Sequence, residues 1–148
     1  AAATSRVAAA TAASHSGVVS PAYTGAHPFD GVPRYAQSDA ALRESWGDRM
    51  WPLIAPAFGA DTAAWYARDP LRRAQRLAAT RRDLVPAIFL DCGTEDGLID
   101  QSRVLRAELT RLGFAPAYAE WPGKHDWDYW RVHARESLAW LAQQVAAR

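Results

Sequence analysis

Residues 85–92 read VPAIFLDC, and Gly93 follows them directly. This short apolar run, which contains branched and aromatic side chains and ends at a glycine, is typical of a β-strand that is buried on both faces. Strands of this kind occur mainly in parallel sheets covered by helices. The run therefore predicts one strand of a parallel sheet.

A helix, a strand and a second helix are predicted after this run. Residues 100–112 place apolar side chains at helical spacing, and Gly113 supplies the C-terminal stop. The apolar stripe consists of Val104, Leu105, Leu109 and Leu112, and the residues expected outside it are Arg103, Arg106, Glu108 and Arg111. Residues 115–121 predict the next strand, and residues 127–147 predict the last helix. The side chains that this helix is expected to bury are Trp130, Leu138, Trp140, Leu141 and Val145.

The chain before residue 85 is less regular. Residues 7–14 (VAAATAAS) predict a closely packed, buried parallel strand, although their alanines also favour a helix. Residues 18–59 contain five prolines and predict a long excursion with short helical pieces. Two helices are expected within residues 61–80, the first capped by Asp61 or Thr62 and the second beginning at Asp69-Pro70. This order of elements predicts an α/β fold with a parallel sheet, in which residues 18–83 form an inserted, lid-like segment.

Composition excludes several classes of protein. The 148 residues are 49% hydrophobic and carry 17 basic and 16 acidic side chains, so the net charge of +1 gives no field to recruit nucleic acid or an anionic membrane. No run reaches the roughly 18–20 apolar residues that span a bilayer, which predicts a soluble chain without a transmembrane segment. The single cysteine, Cys92, cannot form an internal disulfide. The sequence does not decide between a cytoplasmic and a secreted location.

Candidate catalytic residues lie in two loops at the carboxyl ends of predicted strands, where open parallel sheets bind ligands. Asp96 lies in the first loop and His125 in the second, with one helix and one strand between them. A histidine that accepts a proton needs a carboxylate on its other ring nitrogen to hold the correct tautomer. We therefore expect Asp96 to orient His125 as a general base, with Asp91, Glu95 and Asp100 as competing acids.

Three segments resemble the Putative esterase family, which includes esterase D, feruloyl and tributyrin esterases and the mycolyltransferase antigens. They are FLDCGTED at residues 89–96, WPGKHDWDYW at residues 121–130 and ASHSGVV at residues 13–19. The resemblance implies the C-terminal part of an α/β-hydrolase fold, so that residues 1–148 form a single partial domain. It also implies that the family's acid is Asp96 and that its histidine is His125.

The sequence departs from this family at the nucleophile. The serine of the α/β-hydrolase fold lies in Gly-x-Ser-x-Gly on a strand-to-helix elbow, and residues 1–148 contain no such motif. We expect the serine on the order of ten residues before Ala1, by the usual elbow-plus-helix layout. Residues 1–148 are then expected to be inactive alone and to need the N-terminal half of the same domain, which would also cover the sheet edge at residues 7–14.

Other candidate sites are weaker. Ser16 has no helix start after it, as a nucleophile elbow requires, and Cys92 fits a buried residue at a strand end. The four histidines, His15, His27, His125 and His133, lack the spacing of metal ligands. Six arginines could form a nucleic-acid face but fit the solvent side of helices better, namely Arg68, Arg72, Arg73, Arg76, Arg81 and Arg82. Trp127 is a candidate wall of a substrate pocket.

The resemblance thus implies a carboxylic-ester hydrolase of the serine-hydrolase type that needs no metal and no cofactor. Its substrate is a small-molecule ester or an ester of a lipid or sugar. Two alternatives stay open. One is a non-catalytic remnant or binding module that uses the tryptophan-rich residues 23–66. The other is an acyltransferase of the mycolyltransferase type, because water and alcohols attack the same acyl-enzyme.

Overall fold

The fold is built on a parallel sheet, which has three strands among the residues that the structure describes. A computed structural model of the chain describes residues 10–59 and 61–147. The strands are β1 (Thr11–His15), β2 (Ala87–Gly93) and β3 (Ala117–Trp121). The helices are α1 (Asp39–Phe58), α2 (Thr62–Arg68), α3 (Pro70–Thr80), α4 (Ile99–Arg111) and α5 (Trp127–Ala146), with a single 3-10 turn at Arg82–Leu84.

Strand β2 lies in the middle of the sheet and has one helical layer on each face. Leu90 and Ile88 pack in the cluster formed by α3 and α4, whereas Phe89 points to the opposite face and contacts Trp140 of α5, with ring centroids 5.8 Å apart. Alternate side chains of a strand point to opposite faces, so a strand covered on both sides is apolar throughout. The predicted α/β fold with a parallel sheet is confirmed.

The main core lies between the sheet and helices α3 and α4. Its buried members are Val19, Leu71, Ala74, Leu90, Val104, Leu105 and Leu109. The expectation that Glu108 lies on the outer face of α4 is wrong. Helix α3 covers that position, and the buried Glu108 carboxylate accepts a hydrogen bond from Gln75 (2.9 Å) and pairs with Arg111 (2.9 Å).

Two aspartates start helices in the middle of the chain, as predicted. Asp61 accepts a hydrogen bond from the amide of Ala64 (2.8 Å) at the start of α2. Asp69 is fully buried and accepts from the amide of Leu71 (2.8 Å) at the start of α3. These side chains satisfy amides that have no partner within their own helices.

Helix α1 is longer than the short helical pieces expected for this region. It is kinked at Gly47, whose φ of 65° lies in the left-handed region that favours glycine. The kink folds the helix around Trp65, whose indole is buried against Trp51 and Phe58 at ring-centroid distances of 5.4 and 5.1 Å. These aromatic rings form a second core, separate from the sheet.

Strand β1 is less buried than its composition suggested. Residues 7–9 of the predicted strand lie outside the described residues, and Ala12 and Ala13 are exposed. The physical reason is that β1 is an edge strand and that α4 packs over β2.

Helix α5 occupies the predicted residues, but two of its side chains were assigned wrongly. Leu138 and Val145 are 64% and 63% exposed, whereas Tyr129 and Ser137 are buried. The physical reason is that a narrow sheet covers one side of a long helix.

Among the described residues, no helix is both long enough and apolar enough to cross a membrane.

Candidate active site

Two loops meet at the carboxyl edge of the sheet, one after β2 and one after β3. The amide of Thr94 donates to the carbonyl of Trp121 and the amide of Glu95 donates to the carbonyl of Gly123, each over 2.9 Å. The loops are this close because residue 93 is glycine: a Cβ atom there would lie 2.3 Å from the carbonyl oxygen of Gly123. The main chain itself therefore fixes the position of one loop relative to the other.

Asp96 and His125 meet across these loops, as the sequence predicted. Nδ1 of His125 lies 2.9 Å from Oδ2 of Asp96. The Asp96 side chain is fully buried, and its Oδ1 accepts a hydrogen bond from the amide of Leu98 (2.8 Å). A carboxylate only accepts hydrogen bonds, so this contact favours the tautomer that carries its proton on Nδ1 and leaves Nε2 as an acceptor.

The other acids near the two loops have different partners. Asp91 contacts His15, and Asp100 pairs with His27. Glu95 lies 3.9 Å from Lys124 at the surface. Of the four carboxylates that the sequence left in competition, the structure brings Asp96 to His125.

A cavity of about 990 Å³ opens beside this pair. One wall comes from the segment before α2 and includes Tyr23, His27 and Trp46, and the other wall includes Leu98 of the acid loop. Asp96 and His125 lie in its lining, and the His125 side chain is 49% exposed. The arrangement can present a basic imidazole nitrogen to a small molecule bound between the two walls.

Two tryptophans follow His125 on the first turn of α5. The ring of Trp130 meets His125 edge to face with centroids 4.9 Å apart, and Trp127 meets Trp130 at 5.3 Å. Trp127 is 79% exposed and is not among the residues that line the cavity. Its role as a pocket wall stays a prediction.

A second group of polar side chains, which sequence reasoning missed, lies beneath the loops. Oδ2 of Asp91 is 2.6 Å from Nδ1 of His15, and Nε2 of His15 is 2.6 Å from Oγ of Ser137. The phenol of Tyr129 donates to Oδ1 of Asp91 (2.9 Å). Burial raises the pKa of the Asp91 carboxyl. An aspartate within the apolar run 85–92 was the signal that could have indicated a buried partner.

This group resembles a serine–histidine–aspartate chain but has the surroundings of a structural contact. Ser137 lies inside α5, is 4% exposed and donates its hydroxyl proton to the carbonyl of Ala134 (3.0 Å). Helical amides are already bonded within the helix, so they cannot form an oxyanion hole beside it. The group joins β1, β2 and α5, and it anchors the helix that begins two residues after His125.

Ser16 and Cys92 lie together at the ends of β1 and β2. The thiol of Cys92 is 3.7 Å from Oγ of Ser16, and both residues are buried. Burial raises the pKa of the Cys92 thiol to about 12, so the thiol is protonated at neutral pH. Ser16 has a φ of 49° and lines the cavity, but the next helix begins only at Asp39.

The histidines and arginines are distributed among several structural contacts. Within residues 10–59 and 61–147, no three His, Cys, Asp or Glu side chains lie close enough together to hold a metal ion. Arg72, predicted to be solvated, is half-buried and lies over the rings of Tyr35 and Tyr66, 4.3 and 5.0 Å from their centroids. Arg82 lies 4.1 Å from the centroid of the Phe114 ring. These stacked arginines contribute to packing.

Comparison with known proteins identifies the family. A family model described as "Putative esterase" matches residues 2–141. The chain belongs to this esterase family. The resemblance to this family seen in the sequence is thereby confirmed.

Two known proteins are similar to part of this chain. An acetyl esterase from Caldicellulosiruptor saccharolyticus is 32% identical over 59 residues, which are 40% of this chain and 22% of the acetyl esterase. The crystal structure of S-formylglutathione hydrolase from Staphylococcus aureus is similar with a TM-score of 0.46 and 23% identity, over 53% of this chain and 30% of that one. The matched region covers less than a third of either relative.

Proposed function

We propose that this chain supplies the acid and the base of a serine-type carboxylic-ester hydrolase. The observation that carries the proposal is the 2.9 Å contact between Asp96 and His125 beside a cavity, in a member of an esterase family. Asp96 is the positioning residue and His125 is the catalytic base. The nucleophilic serine is assigned to a Gly-x-Ser-x-Gly segment outside residues 1–148, because these residues contain no such motif.

The reaction follows from the free nitrogen of His125. Nε2 takes the proton of the serine hydroxyl while the serine oxygen bonds to the ester carbonyl carbon, and a tetrahedral intermediate forms. The intermediate collapses with cleavage of the ester C–O bond, and the imidazolium returns the proton to the departing alcohol. Water then attacks the acyl-enzyme in the same way, giving the carboxylic acid and the free serine.

Burial of Asp96 serves this proton transfer. The amide of Leu98 donates to one oxygen of the carboxylate and helps to hold the other beside the imidazole. Its negative charge stabilises the imidazolium that forms in each half of the reaction. His125 lines the cavity, where the ester binds.

The cavity suggests where selectivity arises. One of its walls comes from residues 16–54, which lie mostly in the inserted segment predicted at residues 18–83. We assign to this segment the recognition of the acyl or alcohol group. The acetyl esterase among the relatives makes a short acyl ester the first substrate to test.

The test is hydrolysis of 4-nitrophenyl acetate by the full-length protein that contains these residues. His125→Ala should lower kcat/KM by at least about 10⁴-fold, and Asp96→Asn should lower kcat about as much because the imidazole would adopt the wrong tautomer. Lys124→Ala is the matched control, since Lys124 is an exposed neighbour of His125. Activity close to that of the unsubstituted protein in the His125→Ala variant would contradict the proposal.

A further inference from the structure

The cavity contains a second histidine held by a carboxylate, which the proposed mechanism does not use. Nδ1 of His27 is hydrogen-bonded to Oδ2 of Asp100. The two side chains belong to distant parts of the sequence, since His27 precedes Asp100 by 73 residues. Both line the same cavity as Asp96 and His125.

Asp100 holds the His27 ring from beneath. Its side chain is 8% exposed, and its Oδ1 accepts hydrogen bonds from the amide of Phe29 (2.8 Å) and from Nη1 of Arg103 (3.3 Å). The His27 side chain, in contrast, is 77% exposed. A buried, fixed carboxylate therefore presents an accessible imidazole at the cavity.

The pairing determines what the imidazole offers. The ionised Asp100 carboxylate is an acceptor only, so Nδ1 of His27 carries the proton and Nε2 of the neutral ring is an acceptor. A ligand bound there must supply a hydrogen-bond donor. Among the described residues that line the cavity, Glu44, Asp96 and Asp100 are acidic and none is a lysine or an arginine. This charge disfavours an anionic ligand.

We propose that His27 is a specificity-determining residue that accepts a hydrogen bond from a hydroxyl group of the ester substrate. The substrate class is a short-chain ester that carries a free hydroxyl group, which the tests below place on the alcohol part. The inference rests on the proposed function for its role in turnover, but binding alone can test it. Asp100 is the positioning residue that selects the tautomer of His27.

The first test reads the tautomer without any substrate. A long-range ¹H–¹⁵N correlation spectrum of the full-length protein should show neutral His27 with its proton on Nδ1. His27→Ala assigns the signal. A neutral ring with its proton on Nε2 would overturn the proposal, because that nitrogen would then be a donor.

The second test compares three acetate esters of similar size: 2-hydroxyethyl, propyl and 2-methoxyethyl acetate. The methyl ether can accept but cannot donate a hydrogen bond. Binding is measured by ¹H–¹⁵N shift titration in the His125→Ala protein, so that no turnover is needed. His27→Ala should lower the affinity for the hydroxyl ester relative to the propyl ester by about three- to tenfold, the value of one hydrogen bond. The methoxy-to-propyl ratio should not change.

His27→Gln is the conservative variant, because its amide oxygen can accept in place of Nε2, and it should restore most of the preference. An equal loss of affinity for all three esters, or no loss, would overturn the proposal. The outcome is separate from the test of His125. If His125→Ala keeps its activity, the proposed function fails even where the hydroxyl preference is present.

Discussion

At the scale of single residues, the absence of a side chain at Gly93 allows the loop of Asp96 to lie close to the loop of His125. Gly93 ends β2 where the loop that follows β3 crosses it, and the main chains touch there. Asp96 and His125 follow Gly93 and Gly123 by three and two residues. A displacement of the main chain at this crossing would therefore also shift the Asp96 carboxylate and the His125 imidazole. A misplacement of about 1 Å can cost on the order of 10²-fold in rate.

Gly93→Ala is expected to separate the two loops. The new Cβ would lie 2.3 Å from the Gly123 oxygen and 2.7 Å from its carbonyl carbon, and neither atom can rotate away as a side chain could. We expect a loss of about 1–3 kcal/mol in the free energy of unfolding, measured by urea denaturation. Gly97→Ala is the control for stability, since a Cβ there meets nothing within 4 Å. Equal stabilities for the two variants would contradict this account.

At the scale of elements, a charged pair ties α4 to β3. Arg103 donates from Nε and Nη2 to the two oxygens of Glu120, over 2.9 and 2.7 Å. The Tyr118 phenol also donates to Glu120, over 2.6 Å. The Arg103 guanidinium holds the pKa of the Glu120 carboxyl below its usual value, although partial burial opposes this. The pair thus joins the helix that follows the acid loop to the strand that precedes the histidine loop.

Glu120→Gln should lower the free energy of unfolding by about 1 kcal/mol at pH 7. A lowered carboxyl pKa gives stability above the pKa of the unfolded chain, and this stability is lost as the pH falls through the folded pKa. The difference between the two proteins should therefore shrink as the pH falls below about 4.5. Urea denaturation at pH 7, 5 and 3 measures it, with the exposed Glu44→Gln as control. A difference that stays constant down to pH 3 would contradict the expected linkage.

Elements whose ends carry local signals could be predicted from the sequence. Gly113, with a φ of 79°, follows the end of α4, and the buried Asp69 starts α3. The exposure of Leu138 could not be predicted, because it depends on how much of α5 the sheet covers. The kink of α1 at Gly47 depends likewise on the position of Trp65.

The candidate site likewise has one contact that could be predicted from the sequence and others that could not. The contact between Asp96 and His125 was predictable because strand ends place both loops at one edge of the sheet. The pair of His27 and Asp100 was not, since no periodic pattern relates two residues that are 73 positions apart. The contact of His15 with Ser137, 122 positions apart, depends on the packing of α5 in the same way.

At the scale of the whole molecule, β1 leaves one edge of the sheet unpaired within residues 10–59 and 61–147. The amide of Ser16 donates to Asp91 and the carbonyl of Ala10 accepts from Ala87, so even-numbered residues direct their main chain towards β2. Because the direction alternates along a strand, the amide and carbonyl of Ala13 point away from the sheet. Such an edge is a template for pairing with another strand.

We expect the polypeptide of residues 1–148 to associate at high concentration through this edge. Ala13→Pro should weaken the association, because proline removes an outward N–H and leaves the ladder between β1 and β2 intact. Ala12→Pro should instead destabilise the fold, since its N–H faces β2. Sedimentation velocity over a concentration series measures the association. An unchanged concentration dependence in Ala13→Pro would show that the edge is not the contact.

The bonds that fasten the acid loop to the histidine loop are amide-to-carbonyl bonds, which do not depend on side-chain identity at Thr94, Glu95 and Trp121. The opposite wall of the cavity comes from a separate stretch of the chain, residues 16–54. A mutant library confined to codons 44–54 could therefore vary what fits the cavity while leaving the acid–base pair untouched.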